Sequence, residues 1–501
     1  MSNPKKVVSN LFYFFLDFAT ITLFGYVFWV IMGKLLLPAQ YGLLATIIAL
    51  FYVLLNVSTL GMQETLPKFV PEYIAKNKIK EATAMIRFAN KTSFIFSLVF
   101  SFLIGLFANK ISLFFYGSYQ MTIPLQFLSI IIFAGTTSAV FKATLQSLQL
   151  FKNMFNADLL SNIFRISFAT ALAFLGYQAF SGILGLLAGF ILFSLVAGFS
   201  ILKQRIKDYS HFDRKSFMRF SFHSIVTTVS IFLILQSGTI ILSVLSGLVD
   251  AGLFAVVVIF GQVILFVPTI LFGALFPNIS ELLVKNKGHV SYLISVSLKL
   301  IAMTVLPFVI LFSIFSDSFI RLLYTESYIG AGLLFPTYLF GAFLWGMSSL
   351  LLLVLYVSYK AKTRSVLVGF GAVLFILLSL YLIPQMGILG ASSAFLISQI
   401  IIFIFSLYLL NKQMPIRFAR RSFFILHANT ILLLISYLFS IYFINTVFAI
   451  VVSLSIYTFI LLLSKSLNKT DIGILDYFPD KFGFGFIKKI VKKTVYFFDK
   501  I

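Results

Sequence analysis

Leu36-Leu37-Pro38-Ala39-Gln40-Tyr41-Gly42-Leu43 opens an apolar run that extends to about residue 66, and 210 residues after Tyr41 the pattern returns as Ala251-Gly252-Leu253-Phe254-Ala255 at the head of a second run. About 20 apolar residues carry a helix across the hydrocarbon core of a bilayer. A spanning segment that recurs at a fixed offset is the mark of a duplicated membrane fold.

Composition extends this reading to the whole chain. Of 501 residues 60% are hydrophobic and 11% charged, with a mean hydropathy of +1.05, which no arrangement of water-exposed domains can accommodate. Runs of spanning length fall at 11–36, 42–66, 89–109, 123–148, 157–176, 181–202, 221–246, 252–276, 291–315, 331–357, 363–383, 388–410, 423–443 and 446–464. The chain therefore reads as an all-α polytopic membrane protein of about fourteen helices. Large catalytic domains outside the membrane are excluded. The basic start at Lys5 and Lys6 leads into a run of full spanning length with no small-residue cleavage site after it, so the first helix is expected to be retained.

The net charge of +23 could suggest nucleic acid, but its distribution points elsewhere. With fourteen spans, 33 of the 38 Lys and Arg residues fall on the side that holds both termini. Three (Lys34, Lys110, Arg321) fall opposite, and Arg165 and Lys299 lie inside spans. By the positive-inside rule both termini are expected in the cytoplasm, with anionic membrane lipids as neighbours and no nucleic-acid partner. The chain has no cysteine and four scattered histidines, which excludes thiolate chemistry and gives no reason to expect a metal site or a cofactor.

Further matches fix the period of the repeat. Pro67 corresponds to Pro277 at the same offset, Tyr116-Gly117-Ser118-Tyr119 resembles Tyr324-Thr325-Glu326-Ser327-Tyr328, and Gly182-Ile183-Leu184-Gly185 returns as Gly387-Ile388-Leu389-Gly390. Each match holds the same place in a six-helix unit. The expected organisation is a first lobe over 1–210, a second over 211–412, two added helices over 413–464 and a cytoplasmic amphipathic tail over 465–501. Six is even, so the repeat is parallel. Residues 71–88 and the tail from Phe482 to Ile501 interleave apolar and basic residues and read as interfacial helices.

The segment from Leu36 to Leu43, followed by Leu60-Gly61-Met62-Gln63-Glu64 and a basic amphipathic stretch, resembles the polysaccharide-biosynthesis branch of the multidrug/oligosaccharidyl-lipid/polysaccharide flippase superfamily. Gly387-Ile388-Leu389-Gly390-Ala391 at the twelfth span is similar to that family too. The resemblance implies two lobes around a cavity that opens alternately to each side. The implied cargo is a polyprenyl-linked oligosaccharide moved from the cytoplasmic to the outer leaflet. It also implies a monomer working near glycan-assembly enzymes. A multidrug or organic-cation antiporter on the same fold is the alternative. The major facilitator pattern is missing between spans two and three, where no glycine occurs in 67–91.

Charged groups inside a bilayer cost about 2.5–3.5 kcal/mol each on insertion scales, so they are the candidates for function. Arg165 and Lys299 are expected to meet an anionic diphosphate, one by bidentate hydrogen bonds and the other as a point charge. Pairing of Arg165 with Asp158 is the competing structural reading. Lys142 and His223 are candidates for the inner vestibule. Asp17 and Glu64 are either sites for a coupling proton or ion, or counter-charges to Arg165. No acidic metal motif, polar-paired intramembrane histidine or glycine-rich phosphate loop marks the chain as an enzyme.

Overall fold

The structure, a computed structural model, describes residues 4–203, 211–285, 287–357, 361–412, 414, 423–442 and 446–463. Its regular elements there are all helical. The amphipathic reading of the tail concerns residues outside those described.

The helices are α1 (Pro4–Leu35), α2 (Pro38–Ser58), α3 (Met62–Ala75), α4 (Ile79–Tyr116), α5 (Thr122–Ser147), α6 (Phe151–Phe174), α7 (Ala179–Leu202) and α8 (Arg214–Leu245). They continue with α9 (Leu248–Lys285), α10 (Lys287–Ile314), α11 (Ser316–Leu323), α12 (Phe335–Val357), α13 (Ala361–Met386), α14 (Ile388–Asn411), α15 (Phe423–Tyr442) and α16 (Thr446–Leu463). A 3-10 turn over Glu326–Leu334 leads into α12. Twelve of these helical segments are long and apolar enough to cross a bilayer. The apolar parts of α15 and α16, His427–Phe439 and Thr446–Leu461, are shorter, and these two helices pack on each other and on α10.

The second expected span is the one the structure redraws. It ends at Ser58, and after a break at Leu60 (φ +51°) and Gly61 (φ +68°) the chain restarts as α3, which carries Glu64, Pro67 and Pro71. Left-handed φ at two successive residues cannot be part of an α-helix. The expected amphipathic helix over 71–88 is likewise divided. Asn77 (φ +60°) ends α3 in a Schellman arrangement, with Lys78 N–H donating to Tyr73 O at 2.9 Å and Asn77 N–H to Ile74 O at 3.0 Å. Its second half then runs straight into the third span as the 38-residue α4.

The chain forms two compact units, Met1–Ala255 and Val256–Ile501. Sequence register divides the chain at residue 210, whereas compactness follows contact: α8 packs on α2 and α3 and so lies in the first unit. Within that unit the two glycines matched across the repeat lie against each other. A Cβ on Gly42 would stand 1.8 Å from Leu248 O, and one on Gly252 would stand 2.1 Å from Pro38 O. Each glycine thus faces the carbonyl four residues before the other, so the contact is reciprocal and only hydrogen fits at either position. A buried cluster of Met62, Leu66, Val70, Met85, Ile86, Val140 and Phe217 joins α3, α4, α5 and α8 below it.

In the second unit aromatic rings pack against one another between helices. Tyr338 stacks on Phe395 at 4.6 Å between ring centroids, and Phe260 lies 4.8 Å from Phe335. Tyr457 of α16 donates to Met303 O of α10 at 3.0 Å, which ties the last hairpin to this unit.

Candidate functional site

Three helices of the first unit bring charge together in its interior. Lys142 of α5 reaches Asp17 of α1 at 3.0 Å and Asp158 of α6 at 2.7 Å. The carboxylates are almost sealed, with side chains 4% and 12% exposed, while the lysine keeps 30%. Buried carboxylates survive only when paired and hydrogen-bonded, and one ammonium here serves both. Asp17 Oδ1 has no hydrogen-bond partner among the described residues.

Two turns along α6 from Asp158 lies Arg165. Its guanidinium sits 5.0 Å from the centroid of Phe28 on α1, and its Nε has no hydrogen-bond partner among the described residues. Glycines of α7 set this position. A Cβ on Gly185 would lie 2.9 Å from Arg165 O, and one on Gly189 would lie 3.1 Å from Arg165 Cβ. The α7 backbone therefore closes on the base of the arginine. Small residues at such spacing let membrane helices approach closely.

The structure thus brings Asp17, Lys142 and Asp158 together and gives both acids an ion pair with Lys142, while the arginine rests on an aromatic face. The triad was not foreseen, yet the sequence contains its signal. Lys142 stands five residues before the end of α5, and Asp158 seven after the start of α6, across a turn of three residues. Distances of five and seven residues from one short turn put two side chains at similar depth, within about 3 Å at 1.5 Å per residue, on neighbouring antiparallel helices.

The other candidates stand apart from this triad. Glu64 lies in the first turn of α3, beyond the end of the second span, with a solvent-accessible side chain. Protein packed around it still strips enough hydration to push its carboxyl up to about 7, against a weaker opposing pull from its own backbone N–H. His223 is exposed on α8, where its carbonyl accepts from Thr227 Oγ1 at 3.3 Å. Lys299 is buried in α10 of the second unit, 6% exposed. Among the described residues no group of three or more His, Asp or Glu is placed to hold a metal ion.

One structural latch was also missed. Ser221 Oγ donates to Leu60 O, so α8 holds the break between α2 and α3, and a Cβ on Gly61 would meet Ser221 O at 2.3 Å.

A family profile described as polysaccharide biosynthesis protein matches residues 31–332. The chain belongs to that family. An uncharacterized membrane protein of Methanocaldococcus jannaschii is 21% identical over 442 residues, which cover 84% of this chain and 87% of that protein. Among solved structures, the lipid II flippase MurJ in an inward closed conformation superimposes with a TM-score of 0.71 at 19% identity, covering 91% of this chain and 98% of that one. A multidrug resistance MATE family transporter in an inward-facing conformation does so at 0.64 with 12% identity, over 78% of this chain and 94% of that one. The fold is that of the multidrug/oligosaccharidyl-lipid/polysaccharide flippase superfamily, and the protein is a membrane protein of the polysaccharide-biosynthesis family.

Proposed function

We propose that this family member turns a polyprenyl-linked oligosaccharide from the cytoplasmic to the outer leaflet of the cell membrane by alternating access, with both termini in the cytoplasm. The observation that carries the reading is the distribution of charge in the first unit. Asp17 and Asp158 are closed by Lys142, and a further interior cation, Arg165, rests on Phe28 with its Nε unmatched among the described residues. A guanidinium with an unmatched donor suits the oxygens of a diphosphate. A carboxylate pair already closed by lysine suits an organic cation poorly, which counts against the antiporter reading.

Lys299 would provide the second cation, and Asp17 with Glu64 would serve as charge partner and titrating group. The protein would act as a monomer beside glycan-assembly enzymes, itself making and breaking no bonds in the glycan. Deleting the gene should leave the lipid-linked intermediate accumulated on the cytoplasmic side, detected by mass spectrometry of extracted lipids. Restoring it with Arg165→Gln should recover little transport, Arg165→Lys part and Lys299→Arg most. Full transport by both Arg165→Gln and Lys299→Gln at normal abundance would sink the cationic route, and new export of organic cations would favour the antiporter.

A further inference from the structure

The described residues contain a cavity that the proposed route does not use. It measures about 820 Å³ and lies between the start of α4 and the chain that enters α8. Arg87 and Lys91 line it from α4, and His211 and Arg214 line it from the other side. Two aromatic residues of its wall are anchored by packing. Phe88 and Phe212 pack edge to face at 5.6 Å on the buried Met85, Ile86 and Phe217, and the Arg214 guanidinium lies 5.5 Å from Phe88 and 6.0 Å from Phe212. Asp213, next to Arg214 in sequence, accepts from Ser216 N–H at 3.0 Å as the cap of α8.

Several cations around one cavity favour an anion as the ligand, and the rest of α4 points to which kind. Lys91, Ile95, Leu98 and Phe102 follow the spacing i, i+4, i+7 and i+11, so they form one stripe along the helix. Ile95 also lines the cavity, and these three apolar side chains are 51%, 51% and 67% exposed. At 1.5 Å per residue the stripe is about 16 Å long, close to the ~15 Å hydrocarbon depth of one leaflet. Basic groups at one end of an acyl-length apolar stripe have the shape of a phospholipid.

We propose that this cavity binds the headgroup of an anionic phospholipid from the adjoining leaflet, whose acyl chain lies along Ile95, Leu98 and Phe102. Bound there, the lipid joins α4 to the beginning of α8. The site is separate from the proposed cargo route and holds whatever the cargo is.

Native mass spectrometry of the purified, delipidated full-length protein tests it, with phosphatidylglycerol and phosphatidylcholine of identical chains as probes. The first phosphatidylglycerol adduct should form at about tenfold lower lipid concentration than the phosphatidylcholine adduct. The triple variant Arg87→Gln, Lys91→Gln, Arg214→Gln should lose that preference, and Arg87→Lys, Lys91→Arg, Arg214→Lys should keep it. Equal binding of the two lipids, or a preference that survives the glutamine triple, overturns the proposal. Inorganic phosphate that abolishes the preference at concentrations equal to the lipid would assign the cavity to a free anion and overturn it as well.

Discussion

At the scale of single residues, the Asp17–Lys142–Asp158 triad decides how the first unit tolerates charge. Lys142→Gln leaves two nearly sealed carboxylates without their cation. Breaking a buried pair destabilises by about 3–5 kcal/mol and breaking an exposed one by under ~1. The lysine is 30% exposed, so a loss between these limits is expected. Adding Asp17→Asn and Asp158→Asn to Lys142→Gln should recover much of it, because the uncompensated charges go with their partner. Thermal melting of the wild type, Lys142→Gln, the Asp17→Asn/Asp158→Asn double variant and the triple variant in one detergent reads this, and strictly additive losses would show that the three side chains do not act as a unit. Glu64 yields a separate test in pH. Its folded pKa of about 7 lies above the ordinary 4.5, so the folded chain holds this proton more tightly than the unfolded chain. Stability contributed by Glu64 is therefore full below about 4.5, falls as pH rises to about 7 and is absent above. Glu64→Gln should flatten that part of the melting profile, and a wild-type slope left intact in the variant would rule Glu64 out as its source.

At the scale of elements, glycines decide where helices meet. Gly42→Val would press a branched side chain into Leu248 O and Gly252 N, backbone atoms that cannot rotate away. The cost should exceed the ~1–3 kcal/mol of ordinary overpacking. Gly25→Ala is the matched control, since nothing lies within 4 Å of the added methyl. Folded yield by fluorescence-detected size exclusion should collapse for Gly42→Val and hold for Gly25→Ala, and equal yields would mean that α2 and α9 separate at no cost. The same elements show what was legible in the sequence. Span positions were, because length and apolarity are local properties and the bilayer imposes both. The division of the second span was not, because Leu60 and Gly61 sit in an apolar stretch and their left-handed backbone is latched by Ser221, 161 positions away from Leu60. Asn77 was closer to legible, as asparagine tolerates left-handed φ, but it stands among lysines that read as one amphipathic face. The triad required a depth comparison between neighbouring helices that a search for one partner per charge passes over. Arg165 and Lys299 stood out in sequence because each is a lone cation in an apolar run; what holds Arg165 in place, Phe28 on one side and α7 glycines on the other, is tertiary.

At the scale of the whole molecule, charge asymmetry and helix packing make the same statement about sides. Tyr116 near the end of α4 meets Ser243 near the end of α8 at 3.1 Å, so those two ends share a side. Leu60 before α3 meets Ser221 near the start of α8, so those segments share the other. The second side is the basic one, carrying Lys68, Lys76, Lys78 and Arg214, whereas Gly117 and Asp250 follow helices that end on the sparsely basic side. Reporter fusions after Lys68 and Lys203 should therefore read cytoplasm, and fusions at Gly117 and Asp250 the outside. A reversed pattern would overturn the orientation, and a mixed one the alternation of spans. A further fusion at Asn445 separates twelve crossings from fourteen. If α15 and α16 both cross, Asn445 reads outside while Lys412 and Lys465 read cytoplasm; if the short apolar helices lie along the surface, all three read alike. The outside reading is expected, because Lys412, Arg417, Arg420 and Arg421 before α15 and the lysines from Lys465 onward put positive charge on both sides of this helix pair in sequence, while Phe443-Ile444-Asn445 between the two helices carries none.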